Sequence, residues 1–166
     1  MSSLVRLITD QIIQTLEDAC MNSLPANDPT RAGFVGRGPL EDPELTRISI
    51  LVYPNDPDDR TWVHEVDKNR IHLGGPSAWI RRFCVVIHCY FTLSGETADV
   101  AEDLAHTVLH RVESALSRVT WNISDTRGET LIGNRPVVKS YMEPGGEGRQ
   151  HYWTGKVWLE FTTTGG

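Results

Sequence analysis

The stretch "GGPSAWIRRFCVVIHCYFTL", Gly74 to Leu93, decides the fold. After its Gly-Gly-Pro start no turn residue occurs until Ser94-Gly95. β-Branched and aromatic side chains dominate, so the pattern predicts one strand from Trp79 to Leu93. At about 3.3 Å per residue it would span roughly 50 Å. A globule of this chain length has a radius of gyration near ~15 Å, hence a diameter of roughly 40 Å. The strand therefore outruns the body expected to contain it. Phe83, Val85, Ile87, Cys89 and Phe91 alternate with Cys84, Val86, His88 and Tyr90, so both faces are apolar at mid-strand and both call for cover.

Upstream, Leu4, Ile8, Ile12 and Leu16 mark an amphipathic helix over 3–21, stopped by Pro25 and the Asn27-Asp28-Pro29 cluster. Residues 22–44 are rich in Gly, Pro, Asn and Asp and read as mostly loop. A strand over 45–53 follows, with Ile48, Ile50 and Val52 on one face and Ser49, Leu51 and Tyr53 on the other. Residues 54–77 read as an insertion. It opens with the acidic turn "PNDPDDR" and continues as a small hairpin around Asp67-Lys68-Asn69. Downstream, a helix over 95–119 carries Val100, Leu104, Val108, Val112, Ala115 and Val119 on one face. Its acids Asp99, Glu102 and Asp103 lie near the start and Arg111 and Arg118 toward the end, as the helix dipole favours. The chain closes on a hairpin over 136–163 around "PGGEG", with Trp153, Val157, Leu159 and Phe161 facing one way and Tyr152, Lys156, Trp158 and Glu160 the other. The expected fold is a single α+β domain, 1–166: a mainly antiparallel sheet with long strands and two main helices packed on one face.

The 166 residues carry a net charge of -6, which argues against sequence-independent nucleic-acid binding. No apolar run approaches the roughly 20 residues of a membrane span. The start, "MSSLVRLITD", lacks the pattern of a signal peptide. Cys20, Cys84 and Cys89 are odd in number and not spaced as a metal knuckle, so they read as reduced thiols in a protein made in the cytosol.

Four patterns invite a chemical reading. His106 and His110 stand at zinc-protease spacing, but Thr107 follows His106 where that chemistry needs a Glu, so packed or solvated helix histidines are expected. Cys84 and His88 share a strand face as a Cys-His pair would, yet strand cysteines usually act as inert small hydrophobes. "AGFVGRGPL" has the glycines of a phosphate loop without its Lys-Ser/Thr or a parallel βαβ frame. The carboxylates of "NDPDDR" do not match a calcium loop. No catalytic residue, cofactor or metal is expected.

Two overlong strands, each half apolar on its second side, point instead to neighbouring subunits. At this point the chain resembles a family. A helix ending near "CMNSL" precedes a Gly/Pro-rich loop, strands, the helix "ADVAEDLAHTVLHRVESAL" and a terminal hairpin, "RPVVKSYMEPGGEGRQHYWTGKVWLEFT". This order resembles the small tail-terminator and tail-completion (neck) proteins of long-tailed bacteriophages. The resemblance implies a homo-oligomeric ring, typically a hexamer, that caps the tail tube and joins it to the head connector. Its partners would be the tail-tube and head-connector proteins, with DNA passing through unbound and no membrane involved. The protein would belong to the virion and be made in the bacterial host cytoplasm. Head-closure, adaptor and tail-tube subunits are the neighbouring alternatives. From another class stands a monomeric ligand-binding module or small hydrolase using His88, Cys84 or His106. The expected interface residues are Trp79, Arg81, Arg82, Phe91, Glu102, Asp103, Tyr152 and Trp158, with Asp56, Asp58 and Asp59 at a lumen or rim.

Overall fold

The computed structural model describes residues 4–38, 47–54, 65–67, 79–93, 95–121, 123, 130–145 and 152–165. Helix α1 covers Leu4–Glu17 and α2 covers Ala98–Ser117. The strands are β1 Phe34–Arg37, β2 Ile48–Pro54, β3 Glu65–Asp67, β4 Trp79–Thr92, β5 Thr130–Gly145 and β6 Tyr152–Gly165. They form one six-stranded sheet in the order β1-β2-β4-β6-β5, with β3 also on β4. Every pairing is antiparallel except β1 with β2. This is the expected α+β fold.

The apolar stripe of α1 builds the core as the sequence predicts, with Leu4, Ile8, Ile12 and Leu16 fully buried. Each such side chain contributes about 1.5–3 kcal/mol when removed from water. A helix of 14 residues is marginal alone, so that burial is what holds it. Thr9, also buried, keeps its hydroxyl satisfied on the Val5 carbonyl at 2.8 Å.

The helix then widens into a π turn, Asp18–Asn22, held by Gln14 and Asn22 donating to the Asp18 carboxylate, each at 3.1 Å. With the α ladder broken, the Cys20 carbonyl accepts the Ala32 N–H at 2.9 Å, which draws the following segment back onto the core. That segment was expected to be loop, and it contains β1. Gly33 N–H and Gly38 N–H donate to the Ile48 and Val52 carbonyls at 2.8 and 3.0 Å, so the glycines serve a parallel ladder with β2.

Both helices pack on the face made by Ile48, Ile50 and Val52, by Phe83, Val85, Ile87, Cys89 and Phe91, and by Val157, Leu159 and Phe161. Gly95, at φ 87°, turns the chain from β4 into α2, a conformation that suits a residue without Cβ.

The length of β4 has a partial answer inside the chain. Its 14 residues pair with β6 throughout. Along the opposite edge, β2 occupies Val85–Phe91 and β3 occupies Ile80–Arg82. One long strand thus carries two short ones end to end. Of the expected small hairpin, only Glu65–Asp67 lies among the described residues, and it pairs with β4.

Candidate interaction surface

The sheet's second face, turned away from the helices, gathers the remaining polar and aromatic chemistry. Leu51, Cys84, Val86 and Trp158 form a small buried cluster there, with Tyr90 packed against it. His88 and Tyr90, two apart on β4, stack with ring centroids 3.9 Å apart. Across the β4–β6 ladder His88 faces Lys156, and Lys156 faces Tyr141 of β5. Lys156 is only 5% exposed, and its ammonium stands 6.0 Å from the Trp158 ring. The negative face of an indole attracts a cation at that range. Tyr141 lies against Trp158 with centroids 5.4 Å apart and remains 37% exposed. It carries this aromatic row out to the sheet edge, because β5 is the terminal strand.

The expected interface residues fall in different places. Phe91 belongs to the main core at 1% exposure, and Trp158 is 3% exposed in the second-face cluster, so a single chain already covers both. Trp79 and Arg81 stand in the first turn of the β4 ladder, opposite Gly165 and Thr163. Tyr152 opens β6 opposite Gly145. Arg82 is exposed at the end of β4 that pairs with β3, and Glu102 and Asp103 are exposed on the first turns of α2. Among the described residues none of these three is in an ion pair; the pairs present join Asp10 to Arg6 and Arg37, and Arg47 to Glu96. Asp56, Asp58 and Asp59 lie outside the described residues.

The patterns weighed for catalysis do not converge. Cys84 and His88 are both buried on the second face, but four residues along a strand is about 13 Å, too far to share a proton. His106 and His110 are exposed on α2, and His106 meets the edge of Trp153 at 5.8 Å between centroids. Among the described residues no group of three or more His, Cys, Asp or Glu is placed to hold a metal ion. None of the described helices is long and apolar enough to cross a membrane.

The cysteines of the core are poor nucleophiles. Burial pushes the Cys20 thiol up to about 11, against a smaller lowering by the nearby Arg111 guanidinium. Cys89, also buried, is raised further by burial, then by Cys20 and Glu113. Arg111 itself is fixed to the segment before β1, donating to the Thr30 carbonyl and hydroxyl at 3.2 and 3.0 Å. Thr30 in turn donates from N–H and hydroxyl to Asp28, which holds that carboxyl below its usual range.

Sequence reasoning missed Phe34 and Tyr141, the exposed aromatics of the two terminal strands. Tyr141 was readable as the aromatic of the first hairpin strand, but not as an edge residue, because the sheet order sets that place. Phe34 was hidden by the glycines around it. No protein-family model matches the chain, and no curated protein matches it.

Proposed function

We propose that this chain is a structural subunit of the neck of a long-tailed bacteriophage: a tail terminator whose ring caps the tail tube and joins it to the head. The observation that supports this reading is the three-strand ladder β4–β6–β5. Its strands run 14, 14 and 16 residues, two to three times ordinary strand length. Among the described side chains of β4, Arg82 is exposed and the buried run starts at Phe83. Strands of this length are suited to contact with neighbours. A net charge of -6 suits a channel through which DNA slides without sticking, because like charges repel. The role is mechanical, with no catalytic step.

The test is location. In virions of the phage that encodes the chain, gold-labelled antibody should mark one locus between head and tail. Labelling along the whole tube would make it a tube subunit, and particles without label would refute a virion role.

A further inference from the structure

Both ends of the sheet's main strand order are open among the described residues, with β3 lying off that order on β4. β1 has β2 on one side only, and β5 has β6 on one side only. Each edge carries an exposed large hydrophobic, Phe34 at 38% and Tyr141 at 37%. The register places both on the same face. Phe34 lies opposite Ser49, Ser49 opposite Tyr90, Tyr90 opposite Thr154, and Thr154 opposite Glu143, two residues from Tyr141. Residues opposite one another in a ladder, or two apart on a strand, share a face. The Phe34 ring lies back over Gly36: a Cβ there would stand 2.6 Å from its Cζ. The ring thus covers its own strand and leaves the outer edge of β1 clear.

We infer that β5 of one copy pairs with β1 of the next, so that the sheet continues from copy to copy. The inference rests on the ring reading above and names its contact. A joint between two different edges is heterologous, the kind that a rotation closes into a ring. Strand directions favour it. β1 runs with β2, and the steps β2–β4, β4–β6 and β6–β5 each reverse direction, so β5 runs opposite to β1. Continuing the sheet by rotation keeps those directions, and the new pair is antiparallel, the more stable ladder.

The contact falls on Lys139–Gly145, where β5 is regular; upstream its register breaks at Leu131/Gly133 and Arg135/Lys139. A second copy is the occupant that fits, because one joint satisfies both open edges and brings both exposed aromatics onto one face of the seam. A foreign strand on either edge would leave the other bare.

Cross-linking tests this directly, since Cys20, Cys84 and Cys89 are all buried. A chain carrying both Phe34→Cys and Tyr141→Cys is treated with a short bismaleimide and run under denaturing conditions, beside each single variant. A second chain pairs Phe34→Cys with Glu143→Cys, an exposed position opposite Thr154. A third pairs Phe34→Cys with Val100→Cys, exposed on α2. The expected result is a ladder of covalent multimers from the first two chains, and none from the singles or the third. Equal ladders from all, or dimers from the singles, overturn the contact. Light scattering on the unmodified chain separates the two claims. A ring without the ladder sinks the contact and leaves the ring reading standing. A ladder from open chains keeps the contact and sinks the ring. A monomer at every concentration, with no ladder, sinks both.

Discussion

Cys20 shows how burial alone sets chemistry at a single residue. Its thiol sits in the core where the π turn ends α1, and loss of water around the thiolate drives its pKa up to about 11 from 9.0. The sign follows from linkage. A group whose folded pKa is raised stabilises fully below its unfolded value and loses that contribution as pH rises through the folded one. Cys20 should therefore take about 2–3 kcal/mol of stability away between pH 9 and 11, and Cys89, raised further by burial, adds to the same fall. Urea melts across that range check it, with Cys20→Ala making the slope shallower and Cys89 keeping it from vanishing. At neutral pH an aromatic disulfide reagent should label none of the three thiols in the native chain and all three in denaturant. Rapid native labelling of any one would place it nearer the surface. Phe161 makes the packing counterpart. It stacks on Phe83 at 5.5 Å and takes the edge of Trp121 at 4.9 Å, both centroid distances. Phe161→Ala should cost about 3–5 kcal/mol, read as a lower denaturation midpoint with an unchanged slope.

At the scale of elements, Gly155 decides how closely α2 and β5 approach β6. A Cβ there would meet Leu109 Cδ1 and Met142 Cε, each at 3.2 Å. Both are ends of flexible side chains, so Gly155→Ala should be mild, whereas Gly155→Val should destabilise by about 1–3 kcal/mol through overpacking. Equal stability of the two variants in thermal melts would show that the helix has room to move. Elements with strong periodicity were legible in the sequence: the alternation in β2, β4 and β6 assigned each described side chain to its observed face. The stripe on α2 was legible only in part. Its four-residue steps drift 40° each on a helix of 3.6 residues per turn, which leaves Val100 at 42% exposure. The buried set mixes steps of three and four, including Ala101, Ala105, Leu109 and Leu116. β1 was not legible, because Gly33, Gly36 and Gly38 read as loop while their partners on β2 are set by long-range contacts. The early start of β5 at Thr130 was hidden for a similar reason. Pro136 has no N–H to give to a ladder, and the strand passes it through a register break that only an edge tolerates.

For the whole molecule, one sheet ends, among the described residues, in two dissimilar open edges, both helices cover a single face, and three strands run 14 to 16 residues. The candidate interaction surface was half legible in the sequence. The second-face pattern of β4 and β6 was visible as alternation, but which strands lie at the ends of the sheet depends on topology that no local pattern encodes. Breaking either edge should weaken assembly and spare the fold. Tyr141→Lys, for instance, should dissociate oligomers with a melting temperature within a few degrees of the parent, since substitutions at exposed positions are usually mild. If oligomers persist undiminished in that variant, the edge is not the contact. The most direct test of the account is light scattering on the purified chain over a range of concentrations. The account predicts a discrete species at a fixed multiple of 18.6 kDa, with growth stopping at ring size. A mass of 18.6 kDa at every concentration, or one that rises without limit, would contradict it.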